Sequence, residues 1–294
     1  MNQNKHKPVL LSEVKDILSP AKGERYLDVT AGYGGHASAV IDAIGGQGAA
    51  VLVDRDQNAI SYLNEMFKDR SEVKIVKNDF LSASKDLQAT GAKFDLILAD
   101  LGVSSPHLDN AMRGFSFKNE GPLDMRMDED QEITASDIVN TADQAELVRI
   151  LRLYGEVRNA PRVSRLIIEH RPYHSTTELA SVVAKTSKRW EKTHPATKVF
   201  QALRIAVNQE LEQLQQALPI WIDLLKDNGR LAVISFHSLE DRLVKQAFAE
   251  YGASGYDAVV RILTKHPIEG DESEIVFNPR ARSAKLRAVA KIKI

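Results

Sequence analysis

Glu24-Arg25-Tyr26-Leu27-Asp28-Val29-Thr30-Ala31-Gly32-Tyr33-Gly34-Gly35-His36 is the stretch whose reading decides the fold. Glu24 to Val29 reads as a strand, Ala31 to Gly35 as a tight turn, and His36 to Ala43 as a helix ended by Gly45-Gly46. Strand, glycine turn and helix in that order open a doubly wound sheet if the alternation continues. It does. Ala49 to Val53 predicts a second strand, Asn58 to Phe67 a helix, Val73 to Val76 a third strand and Phe94 to Ala99 a fourth. Short apolar runs without polar alternation are strands covered on both faces, as in a parallel sheet.

The pattern then breaks. From about His107 to about Asn208 the chain predicts a loop and then helices over 143–154, 158–170, 176–186 and 196–218. A strand returns at 230–236, followed by a helix over 239–251. The segments 259–265 and 286–294 are expected to close the sheet as antiparallel strands. The expected architecture is α/β, a Rossmann-like, doubly wound, mostly parallel sheet carrying an inserted helical domain. Its boundaries fall at 1–106, 107–208 and 209–294.

The formal net charge of the 294 residues is −1, but it is unevenly spread. Between Arg149 and Arg204 the net charge is +8, and from Asn278 to Ile294 there are six Arg and Lys and no acid. Two basic segments on a neutral chain point to a polyanion, with solvated helix faces as the plain alternative. No apolar run approaches the ~18 residues of a membrane span, and the first residues lack a signal-peptide core. A cytoplasmic location is expected.

Acids stand at the carboxyl ends of the expected strands: Asp28, Asp54 in Asp54-Arg55-Asp56, Asp79 before Phe80, and Asp100. Ligands of doubly wound sheets lie beyond those ends, where the strand order reverses. A carboxylate at the second strand end can take both ribose hydroxyls, and Asp79-Phe80 offers an acceptor for an adenine amine and a ring face. The glycine turn alone leaves two readings open, ligand approach to backbone N–H groups and helix–strand packing. It lacks the G-x-G-x-x-G spacing of dinucleotide sites. Four acids in series suit a cationic, phosphate-free adenosine cofactor, which describes S-adenosylmethionine. The chain has no Cys, so a cysteine adduct on cytosine C5 and a radical iron–sulfur cluster are both excluded.

Specific segments surround this frame: His6-x-Pro8-Val9-Leu10-Leu11, Asp100-Leu101-Gly102-Val103-Ser104-Ser105-Pro106-His107, Arg113-Gly114-Phe115-Ser116-Phe117, Gly121-Pro122-Leu123-Asp124-Met125-Arg126-Met127, Phe200-Gln201-Ala202-Leu203-Arg204, Ser235-Phe236-His237-Ser238-Leu239-Glu240-Asp241 and Asn278-Pro279-Arg280-Ala281-Arg282. Nearly end to end and in consistent order, they resemble the family of ribosomal RNA small-subunit methyltransferase H, also called MraW. The resemblance implies a class I methyltransferase whose helical insertion recognises substrate. It implies N4-methylation of a cytidine in 16S rRNA, at the decoding centre of the small ribosomal subunit. S-adenosylmethionine would be the donor, with no metal. By motif position, cofactor contacts would be Gly34, Gly35, His36, Asp54, Phe80, Asp100 and His107. Where the family often has glutamine after Ser-Ser-Pro, this chain has His107, which also donates and accepts and makes that contact sensitive to pH.

The exocyclic amine of cytosine is a weak nucleophile because its lone pair is delocalised into the ring. A site for it needs acceptors for the amine hydrogens and a surface for the base. Asp100 serves as acceptor to cofactor or to substrate, cofactor being favoured. Ser104 and Ser105 are either catalytic acceptors or turn formers. Phe115, Phe117 and Phe236 are stacking candidates, each with core packing as the alternative. His237 reads first as a hydrogen-bonded structural group, and His194 as a possible helix cap. Arg113, Arg126, Arg204, Arg280 and Arg282 are the expected phosphate contacts. Asp124, Asp128, Glu129 and Asp130 match no calcium loop and are expected to pair with arginines or face solvent. Two other functions stay open: methylation of DNA or a small molecule, and a non-catalytic, cofactor-binding role in ribosome assembly.

Overall fold

The computed structural model describes residues 8–186, 194–253 and 258–292, and of Ser105 the backbone only. His6, Lys188, Arg189, Lys192 and Lys293, used in the sequence reading, lie outside the described residues. The chain divides into two compact units, Met1–Gly102 with Leu211–Ile294, and Val103–Glu210.

The first segment runs α1 (Leu11–Leu18), β1 (Arg25–Asp28), α2 (Gly35–Ile44), β2 (Ala49–Asp54), α3 (Gln57–Met66), β3 (Val73–Lys77), α4 (Phe80–Ala89) and β4 (Phe94–Asp100). The helical unit follows with α5 (Ser105–Asp109), α6 (Ala135–Thr141), α7 (Gln144–Leu153), α8 (Ala160–Glu169), α9 (Thr176–Ala184) and α10 (Ala196–Asn208). The return adds α11 (Glu210–Leu224), β5 (Leu225–Ser235), α12 (Ser238–Tyr251), β6 (Val260–Ile262), α13 (Glu272–Phe277) and β7 (Lys285–Lys291).

The sheet has the order β3-β2-β1-β4-β5-β7-β6. β1 to β5 are parallel, and β7 runs antiparallel to both of its neighbours, β5 and β6. The order reverses between β1 and β4, where Asp28 lies opposite Leu98, and this opens the crevice of a doubly wound sheet. The central strands are mostly apolar because both faces of the sheet are covered. Tyr26, Leu52, Leu96 and Ile234 pack with Leu18, Val40 and Ile41 on one side, while Leu27, Val53, Ile97 and Val233 pack with Leu218, Trp221 and Phe248 on the other. Trp221 is fully buried, and its indole N–H donates to Ser84 Oγ at 2.8 Å.

Two expectations change. The helix expected over 196–218 is broken: α10 stops at Asn208, Gln209 has φ 52°, and α11 begins at Glu210. Asn208 stands at the break, where its fully buried amide accepts from Met127 N (2.9 Å) and donates to Met125 O (2.8 Å) and Arg204 O (2.9 Å). The strand expected over 259–265 is only three residues long in β6. No helix among the described residues is long and apolar enough to cross a membrane.

Candidate active site

β1, β2 and β4 each end on an acid: Asp28, Asp54 and Asp100. Asp28 is buried, and its carboxyl accepts from Tyr26 Oη at 2.8 Å and Thr30 N at 3.1 Å. Burial pushes this carboxyl up to about 6, against the hydrogen bonds and His36, which pull it down, and with Asp100 adding to the rise. Tyr26, buried beside it, is held well above its ordinary value, first by loss of water and then by the Asp28 charge. The N–H of Asp100 donates to Thr30 Oγ1 at 2.6 Å, tying the end of β4 to the loop after β1. Asp100 Oδ2 lies 3.6 Å from His36 Nε2. Asp100 Oδ1 and both ring nitrogens of His36 are buried without a hydrogen-bond partner among the described residues. Buried polar atoms are seldom left unpaired, so three in one acidic cluster suit a further polar, cationic group. Tyr26 and Thr30 were missed in the sequence reading. Their signal was position, since each stands two residues from Asp28.

The glycine turn lies beside this cluster in the chain. Gly32 N donates to Asp54 Oδ2 at 2.7 Å and Asp56 N to Oδ1 at 2.8 Å, so Asp54 secures the turn. Gly34 has φ 77° and caps α2; a Cβ there would stand 3.0 Å from Leu63 and Met66, and one at Gly35 would stand 2.5 Å from Pro8. Contact with Leu63 and Met66 of α3 and with Pro8 therefore leaves little room for a side chain at either residue. Asp79 caps α4, its Oδ1 accepting from Leu81 N and Ser82 N at 3.0 and 2.9 Å. The Phe80 ring, half-buried, meets Trp221 edge-on at 5.6 Å. His237 caps α12: its Nδ1 accepts from Glu240 N (3.4 Å), and Glu240 accepts in return from Phe236 N (2.8 Å) and His237 N (3.3 Å). Phe236 packs on the first core face.

In the helical unit Ser104 precedes α5 and its Oγ lies 3.0 Å from His107 Nδ1. His107 is buried, with its ring 5.0 Å from that of Phe115. Ser105 opens α5. Three of the arginines expected to contact phosphate hold the unit's own backbone and acids. Arg113 is buried and donates to Arg126 O and Met127 O, both at 2.9 Å, with Glu129 at 3.3 Å. Arg126 grips Asp124 through Nε and Nη2 (2.9 and 2.8 Å) and donates to Glu129 O and Gln131 O. Burial works against the Asp124 charge, yet the bonds from Arg126 hold the carboxyl below its ordinary range. Arg204 forks onto Glu210, both bonds 2.8 Å. A Cβ at Gly114, whose φ is 72°, would stand 2.2 Å from Pro122 O, so the two halves of this motif touch through bare backbone. Phe117 lies between His194 and Phe200, its ring 4.9 and 5.0 Å from theirs, and His194 Nδ1 accepts from Ala196 N at 3.2 Å. Arg280 and Arg282 lie in the first unit on a 3-10 turn, Pro279–Ser283, with Arg282 exposed and Arg280 half-buried.

A mostly parallel sheet that reverses between β1 and β4, with acids at its strand ends and a glycine turn into α2, defines a Rossmann-like class I methyltransferase fold. The chain belongs to the MraW methylase family, whose pattern matches residues 3–292. It is 46% identical to "Ribosomal RNA small subunit methyltransferase H" of Cyanothece sp., over 98% of this chain and 95% of that protein. The protein of the same name from Heliobacterium mobile is 44% identical, over 98% of this chain and 99% of its own length.

Proposed function

We propose that this methylase transfers the methyl group of S-adenosylmethionine to the N4 exocyclic amine of a cytidine in 16S rRNA, at the decoding centre of the small ribosomal subunit, in the cytoplasm. The cluster of Asp28, His36 and Asp100, with one Asp100 oxygen and the His36 nitrogens unpaired among the described residues, carries the reading, because it suits a cationic cofactor. Membership of the family, and the small-subunit ribosomal RNA in the relatives' names, support the acceptor.

When bound, S-adenosylmethionine supplies an electrophilic methyl on a sulfonium. Gly34, Gly35, His36, Asp54, Phe80, Asp100 and His107 are the residues that would hold it. The Asp54 carboxylate suits ribose hydroxyls, the Phe80 ring suits adenine, and Asp100 with His36 suits the cationic portion. Ser104 and Ser105 are the candidates to accept the amine hydrogens, so that nitrogen can pyramidalise and then lose its proton. Arg280 and Arg282 are candidate RNA contacts. No role here requires a metal.

The test is to incubate the protein with methyl-labelled S-adenosylmethionine and small subunits from a strain lacking this gene, then digest the RNA to nucleosides. Label in N4-methylcytidine is expected. Label in another nucleoside keeps a methyltransferase and removes the amine of cytidine; cofactor binding with no label in RNA removes the acceptor altogether.

A further inference from the structure

The described arginines of the helical unit fall into two sets. Arg113, Arg126, Arg149, Arg171 and Arg204 are each bound to a carboxylate or a backbone carbonyl: Arg149 forks onto Glu146 at 2.8 and 2.7 Å, and Arg171 donates to Val139 O and Ala142 O at 2.7 and 2.6 Å. Arg152, Arg158, Arg162 and Arg165 are all exposed and make no hydrogen bond or ion pair among the described residues. They are close together in the chain. Arg152 is in the last turn of α7, Arg158 in the link to α8, and Arg162 and Arg165 on α8 itself.

Arg162 and Arg165 are three residues apart and therefore neighbours on one helix face, about 4.5 Å apart along the axis. That face lies away from Val163, Ser164 and Ile167, which α8 buries. These four arginines outnumber the exposed Glu156 and Glu169 beside them, and Glu146 is occupied by Arg149. Exposed like charges on neighbouring turns repel, and folding draws nothing from these side chains in return. Guanidinium forks match phosphate oxygens in geometry as well as charge.

We infer that Arg152, Arg158, Arg162 and Arg165 form the surface of the helical unit that holds the phosphate backbone of the RNA acceptor. The inference rests on RNA being the acceptor, and it adds to the proposed contacts four arginines that the family-like motifs do not contain.

The full-length protein and its R152Q/R158Q/R162Q/R165Q variant are titrated with a transcript of small-subunit ribosomal RNA across a KCl series. Each phosphate contact on a single strand contributes about 0.7 to the slope of log K against log salt, so the variant's slope should be shallower by about 3. Its Tm and its affinity for S-adenosylmethionine should be unchanged, its KM for RNA should rise with kcat kept, and the four Arg→Lys changes should retain the slope. An unchanged slope in a variant with native Tm overturns the surface. So does a slope that responds only to R280Q/R282Q, or a loss confined to assembled subunits, which would assign the patch to an acidic protein. Should the fourfold variant melt early, R162Q/R165Q carries the same test with half the change. If the unsubstituted protein neither binds RNA in a salt-dependent way nor labels it, the acceptor reading fails. If it does both while the variant keeps its slope, only the surface fails.

Discussion

A carboxyl that has lost its water at the end of a strand holds its proton more tightly than the same carboxyl in the unfolded chain. Asp28 is that group, raised by burial from 3.8 to about 6. With the folded value the higher one, its contribution to stability is whole below about pH 4 and is lost as pH rises through 6, on the order of 3 kcal/mol at most. Asp28→Asn should therefore gain Tm relative to the unsubstituted protein between pH 4 and pH 7, and parallel Tm curves would sink the idea. A cation beside Asp28 favours its charged form. Affinity for S-adenosylmethionine should thus weaken as pH falls through 6, and Asp28→Asn should lose that dependence. The acids at strand ends were legible in the sequence because a strand's last residue is set by its apolar run. Which of them caps a helix, as Asp79 does, was not, because a side chain's partner depends on the φ and ψ of its neighbours.

At the scale of elements, the break between α10 and α11 rests on one amide. Asn208 serves three backbone groups, two of them in the loop before α6. Asn208→Ala leaves a buried N–H and buried carbonyls unpaired, so we expect a loss of about 2–4 kcal/mol in urea unfolding. A loss under about 1 kcal/mol would mean that the helix ends there for another reason. Apolar periodicity carried the sequence reading straight through this position, since Val199, Leu203, Val207 and Leu214 keep a helical spacing across it. A left-handed Gln209 has no periodic signature. The same limit affects Arg113, Arg126 and Arg204, whose motif positions are clear while their partners, Met127 O, Asp124 and Glu210, lie 14, 2 and 6 residues away along a folded path.

For the whole molecule, a cofactor that binds only the native state stabilises it by mass action. At about 100 times its Kd, S-adenosylmethionine should add about 2.7 kcal/mol, read as a Tm rise of several degrees. No shift at saturating concentration would remove the cofactor from the proposal. The sequence by itself determined the doubly wound sheet, the helical insertion and the family, because apolar runs, glycine turns and long motifs are properties of neighbours along the chain. Only the tertiary structure decided how the charges are used. It shows Asp54 and Asp79 bonding backbone, three motif arginines bound inside the helical unit, and four arginines outside the motifs without partners among the described residues. The reason is physical: a charge's role depends on which groups folding brings within about 3 Å of it, and on how much water it loses there.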